Sequence, residues 1–175
     1  MLPTICLYPS KYHLKPAHKC DNPRAAHTGR QIKKFLEAHK GIDLICAQEL
    51  GFENDVFGIR LYPQNNDKVL LHGKPVLHIG RGLSLHNHEN EVTIQETCIS
   101  IPDETFSIKR FNKVTASWQA NLMNGYGYPL YTVYGINAYN MQHIMDHTKG
   151  VFPERHLKRH EVSKLKMRMG SRIKE

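Results

Sequence analysis

A chain of 175 residues with 40% hydrophobic and 23% charged residues can bury a core and is not composed like a disordered segment. No stretch approaches the ~20 apolar residues of a membrane helix, and Pro3 and Pro9 interrupt the start before an export segment could form. An intracellular protein, cytoplasmic or nucleic-acid-associated and without a membrane partner, is therefore expected. The net charge of +8 is unevenly spread. Residues 1–40 carry eight Lys/Arg against Asp21 and Glu37, residues 41–153 eight against eleven Asp/Glu, and residues 154–175 eight against three Glu. Basic ends around an acidic centre imply attraction to polyanions.

Pro3, Pro9, Pro16 and Pro23 predict a short strand followed by an extended arm. A helix is predicted over 29–40, with Thr28 as its N-cap, Ile32, Phe35, Leu36 and His39 on one face, and Gly41 as its stop. The apolar run 42–47 then reads as a buried strand. Strands are predicted at 56–62, 68–72, 75–79, 83–88, 92–101, 105–111, 115–122 and 130–137. Pro63, Gly73, Gly80, Gly82, the cluster 87–90, Pro102-Asp103 and Gly125/Gly127 punctuate them as hairpin turns. A helix over 138–149 stopped by Gly150 follows. A last one, over about 154–169, is opened by Pro153 and striped by Val162, Leu165 and Met169. The class is α+β with a mainly antiparallel sheet, partitioned as one domain over 1–153 and a basic helix or tail over 154–175. Cys6, Cys20, Cys46 and Cys98 lack metal-ribbon spacing and read as buried thiols in a reducing compartment, with a disulfide pair as the alternative.

Two of the twelve histidine positions' groupings have the spacing of ligands. On a strand, His86 and His88 point to one face; on a helix, His143 and His147 lie one turn apart with Asp146 beside them. Together they form a candidate site for a divalent transition metal, zinc or manganese (or iron), with Glu89 or Glu91 to take a proton from water. Asp146 is the second candidate catalytic carboxylate. His143-Ile-Met-Asp146-His147 resembles the His-x-x-Glu-His order of one zinc peptidase class, with Asp in place of Glu. His86-Asn-His88 resembles the ligand pair of rolling-circle nucleases, whose tyrosine nucleophile would be Tyr131, Tyr134 or Tyr139. The alternative is ordinary core or surface histidines.

The peptide from Gly41 to Glu49 resembles the strand motif of the endonuclease/exonuclease/phosphatase family, in which the final glutamate binds a divalent metal. That resemblance implies the same role for Glu49, although the family's other motifs are missing. Tyr126, Tyr128 and Tyr131 are candidates for stacking on bases, or else half-buried sheet residues.

The basic end carries Arg155, Lys158, Arg159, Lys164, Lys166 and Arg168, candidate phosphate contacts whose mutual repulsion an anionic partner would relieve. Three functions stand at this point. The first is a nucleic-acid-binding protein contacting the DNA or RNA backbone through both termini. The second is a metal-dependent phosphodiesterase or nuclease built on the histidines. The third is a non-catalytic inhibitor or adaptor, with an acidic protein as partner.

Overall fold

The computed structural model describes residues 2–8, 10–13, 15–120 and 128–172, with side chains as far as Arg168. Helix α1 (Asn22–Ala38) starts seven residues earlier than expected, because Asp21 caps it by accepting from the Arg24 amide at 3.1 Å with proline in the first turn. Thr28 is instead buried inside α1 and accepts a hydrogen bond from Asn54 at 2.8 Å. The helix ends one residue short of His39, whose ring stacks on Phe35 with centroids 4.2 Å apart; Gly41 lies beyond the cap.

After α1 come strand β1 (Leu44–Cys46), a single 3-10 turn (Ala47–Leu50) and β2 (Val56–Leu61). A small ribbon of β3 (Gln64–Asn65) and β4 (Lys68–Val69) leads to two long strands, β5 (Val76–Cys98) and β6 (Ile101–Gln119). β7 (Leu130–Tyr134), α2 (Gly135–Thr148), a second 3-10 turn (Pro153–His156) and α3 (Arg159–Arg172) complete the chain. The main sheet runs β1-β2-β5-β6-β7 with every pair antiparallel, so the class is α+β. Among the described residues no helix is long and apolar enough to cross a membrane.

Three of the predicted strands (75–79, 83–88, 92–101) are one strand, β5, and the two after them merge into β6. The supposed turn residues sit inside the ladder as irregularities, with register shifts between Arg81 and Ser84, Leu85 and His88, and Thr97 and Cys98. Gly80 is required by packing rather than by a turn: a Cβ there would lie 2.3 Å from Trp118 Cδ1. The strand expected over 130–137 ends at Tyr134, because Gly135 turns the chain at φ 51° into α2. Gly125, Gly127, Tyr126 and the end of the strand predicted to reach 122 lie outside the described residues.

Apolar side chains gather on the two faces of the sheet. Ile32, Phe35 and Leu36 of α1 bury against Ile45 and Val56, each side chain stabilising by roughly 1.5–3 kcal/mol. Ala138, Met141 and Ile144 of α2 bury against Phe57, Val114 and Trp118. Two side-chain amides then fix where α2 sits. Asn137 exchanges two hydrogen bonds with the Tyr62 backbone (3.0 and 2.8 Å), and Gln142 exchanges two with that of Phe111 (2.9 and 2.8 Å). A third cluster of Tyr8, Ile101, Phe106, Phe152 and Leu165 holds α3.

Candidate metal centre

Four polar side chains from three elements meet in the interior. Glu49 comes from the 3-10 turn, Cys98 from the end of β5, and His143 and His147 from one face of α2. All four are buried, and one donor atom from each lies within 4.8 Å of the others. The register shift between Thr97 and Cys98 lies where β5 reaches the cluster, a place where bulges re-aim side chains. The turn is tied to the helix by Gln48, whose Nε2 donates to the His147 carbonyl at 2.8 Å.

Each donor is oriented by a neighbour. His143 Nδ1 lies 2.7 Å from Glu96 Oε1, so the carboxylate accepts a hydrogen bond from Nδ1–H and leaves Nε2 as the ring's donor atom. Glu96 is gripped by both arms of Arg110, Nε to Oε2 and Nη2 to Oε1, each at 2.9 Å. Burial pushes the Glu96 carboxyl up, but its hydrogen bonds and charge attraction with His143 and Arg110 win and hold it at about 2. Glu49 Oε2 accepts from the Cys46 amide at 2.8 Å, while Oε1 accepts from Ser100 Oγ at 3.4 Å and lies 3.5 Å from Cys98 Sγ. Cys98 Sγ is also 3.5 Å from His147 Nε2. The rings of His143 and His147 stack with centroids 4.4 Å apart.

Four such groups are costly to bury side by side. Burial raises the Glu49 carboxyl and the Cys98 thiol above their ordinary ranges and pushes His147 well below its own. Among the described residues, His143 Nε2 and His147 Nδ1 have no hydrogen-bond partner. The Nε2 atoms of His143 and His147 beside a thiol and a carboxylate, with the Glu96–His143 bond behind them, suit a divalent transition ion. The residues fit such a group. A cavity of about 460 Å³ reaches Cys98 and His143 and is lined also by Ile42, Leu44, Ile99 and Ile136.

The sequence-based candidates divide accordingly. His143 and His147 are in the cluster; His86 and His88 are not. His86 Nε2 bonds Ser117 Oγ at 2.9 Å, His88 stacks on Phe111 at 4.9 Å, and the register shift between Leu85 and His88 breaks the alternation that would have aligned them. Glu89 pairs with Lys113 at 2.8 Å, and Glu91 with Lys109 at 2.7 Å. Asp146 is not among the clustered donors and is held by Arg110 at 2.6 Å and His156 at 3.3 Å. Burial raises its carboxyl, but these two partners outweigh that and set it below its usual range. Arg155, Lys158, Arg159, Lys164 and Lys166 are exposed, and Arg168 grips Glu104 through two contacts of 2.7 Å. Tyr131 stacks on buried Trp118 at 4.4 Å, a packing role.

Cys98 and Glu96 were missed by sequence reasoning, and Glu49 was reached only through a resemblance to a different family. The available signal was Glu96-Thr-Cys98-Ile-Ser100, five residues of which three enter the site.

A model of the polypeptide deformylase family matches residues 3–163. The peptide deformylase of Aquifex aeolicus (strain VF5) is 25% identical over 154 residues, covering 86% of this chain and 85% of that protein. The crystal structure of the peptide deformylase of Ehrlichia chaffeensis superposes with a TM-score of 0.79 at 15% identity, covering 98% of this chain and 97% of that one. That of a class I type b peptide deformylase from Acinetobacter baumannii, bound to Met-Ala-Ser, gives 0.73 at 12% identity over 90% and 99%. These findings overturn the nucleic-acid-binding reading, its nuclease and adaptor alternatives, and the nucleic-acid and acidic-protein partners expected from charge. They equally set aside the endonuclease/exonuclease/phosphatase resemblance at Glu49.

Proposed function

The chain belongs to the polypeptide deformylase family, and from that membership we propose that it hydrolyses the formamide at the N-terminus of formylated peptides. The bond between the formyl carbon and the peptide nitrogen breaks, water supplies the oxygen of the released formate, and the nitrogen leaves as a free amine. The observation that carries the reading is the buried Cys98, His143 and His147 donor set, of which Cys98 and His143 line a cavity that Ile42, Leu44, Ile99 and Ile136 also wall.

Cys98, His143 and His147 would hold the metal ion. Such an ion would polarise the formyl carbonyl and make water more acidic. Glu96 fixes the ring of His143, and Arg110 neutralises Glu96 so that its charge can stay buried. The cavity beside Cys98 accepts the first side chain of the peptide through Ile42, Leu44, Ile99 and Ile136. A thiol among the ligands needs a reducing compartment, which favours the cytoplasm.

The test uses protein loaded with one equivalent of iron(II), zinc, nickel or cobalt(II) and N-formyl-Met-Ala-Ser as substrate. Formate release that disappears in Cys98→Ala supports the reading. Loaded protein that turns over no formyl peptide with any of these ions overturns it.

A further inference from the structure

Helix α2 presents two histidines to the cluster but no carboxylate. On a metal-binding helix of the His-Glu-x-x-His kind, the residue after the first histidine is the glutamate that acts on water. Here that residue is Ile144, packed at 0% exposure in the apolar core. Asp146 belongs to Arg110 and His156, and Glu96 is saturated by Arg110 and His143. Glu49 is thus the one carboxylate the described residues bring up to the donor atoms, and it arrives from a different element, the turn after β1.

We propose that Glu49 is a fourth protein ligand, closing a Cys98-His143-His147-Glu49 sphere around the metal. The assignment rests on the deformylase reading for the presence of a resident ion. Three observations support a ligand rather than a base standing behind a water molecule.

The first is spacing. Metal–sulfur distances near 2.3 Å and metal–nitrogen or –oxygen distances near 2.0–2.2 Å place tetrahedral donors roughly 3.3–3.6 Å apart. Glu49 Oε1 and His147 Nε2 are each 3.5 Å from Cys98 Sγ. The carboxylate oxygen therefore stands as far from the sulfur as an imidazole donor does. A base acting through water would stand a water's width further back.

The second is orientation. Oε2 is taken by the Cys46 amide, which holds Oε1 towards the donors, and Ser100 Oγ supports Oε1 from the side. Hydrogen bonding of this kind behind a ligand carboxylate is the usual outer support of a metal site.

The third is burial. Glu49 is 0% exposed, as is His147. A carboxylate at such a place needs polar partners or a cation against it, and among the described residues it meets His147 Nδ1 at 3.9 Å but no Lys or Arg.

Three N/S donors with an open fourth position form a working hydrolytic site, whereas four protein donors form a closed one. In this chain, water and substrate therefore compete with Glu49 for their place, and the resting site excludes small anions.

Cobalt(II)-substituted protein tests this with azide as the probe. The wild-type visible spectrum should show four-coordinate cobalt with a thiolate band and should not change when azide is added. Glu49→Ala should bind cobalt(II) about 10–100-fold more weakly and respond to azide with a shifted visible band. Glu49→Gln, close in shape, gives the comparison should the alanine variant fold poorly, and is expected to weaken cobalt binding likewise. Wild-type protein that takes azide as readily as the variants, or variants that keep wild-type affinity and spectrum, would overturn the assignment. The formate assay is read separately. A wild-type site closed to azide but unable to release formate sinks the deformylase reading and leaves the ligand assignment standing; formate release with unaltered Glu49 variants does the reverse.

Discussion

The donor cluster and helix α3 both concentrate polar groups, but only one of them has been made to bury its charge. Glu49, Cys98, His143 and His147 are at most 3% exposed, and among the described residues two of their ring nitrogens lack hydrogen-bond partners. Arg155, Lys158, Arg159, Lys164 and Lys166 lie open to solvent, where water screens them and a lysine costs nothing to keep. An unpartnered nitrogen in the interior costs on the order of 1–3 kcal/mol and calls for a reason; a solvated lysine calls for none. The function follows the first region. The count of positive charges pointed at the second.

The largest effect on stability is expected behind the cluster. Arg110→Ala removes the guanidinium shared by Glu96 and Asp146 and leaves them only His143 and His156, and breaking a buried pair of this kind costs about 3–5 kcal/mol. Urea unfolding measures it, and metal affinity should fall with it because Glu96 no longer fixes His143. A cost below 1 kcal/mol would mean that the network is not under the electrostatic load its burial implies. Metal removal comes next. A chelator should lower stability by about 3–4 kcal/mol relative to protein at 100 to 1,000 times the dissociation constant of the ion. Calorimetry with and without the ion reads the difference, and Cys98→Ala should show a smaller one at the same ion concentration.

The same contrast explains what could be read from the chain alone. The pair His143 and His147 was legible because helical periodicity is local: four residues make one turn, and both rings must share a face. His86 and His88 offered an equally good local spacing and failed, since the register shift in β5 undoes the alternation on which it relied. Cys98 and Glu49 were out of reach for another reason. Cys98 is 49 residues from each of Glu49 and His147, so their meeting depends on sheet order and on where α2 docks. Neither is written in any short window. Strand boundaries suffered likewise: Gly80 and Gly82 look like punctuation, yet a bulged strand tolerates them, and Trp118 demands the first. The overall class survived these errors because hairpin-rich patterning with terminal helices is robust to where each strand is cut.

A smaller effect separates burial from charge more sharply, at His13. Its ring is buried against Tyr8 and Phe152, and burial lowers its pKa to about 4. The unfolded chain binds this proton from about pH 6.5 downward and the folded one only near 4. Stability from the neutral ring is therefore intact above pH 6.5, declines between 6.5 and 4, and changes no further below that, by about 3 kcal/mol at most. His13→Phe should flatten that part of the stability–pH curve relative to the parent. Parallel curves would show that the ring is solvated before the fold opens.

The smallest effects test α3 against itself. Leu165 is fully buried in the cluster with Tyr8, Ile101 and Phe152, while Lys164 and Lys166 flank it in the sequence and face solvent. Truncating the leucine removes apolar contact and leaves a void, a cost of about 2 kcal/mol at the edge of a core that can partly collapse. Truncating either lysine removes a charge already surrounded by water. Leu165→Ala should thus lower the melting temperature by several degrees, and Lys164→Ala and Lys166→Ala should leave both melting temperature and formate release where they were. If the lysine variants lost activity while the leucine variant kept it, charge on α3 would be serving the site in a way its exposure does not suggest. The expected order, leucine over lysine, says that this helix is fastened by one apolar stripe and that its basic surface is the solvated side of that attachment.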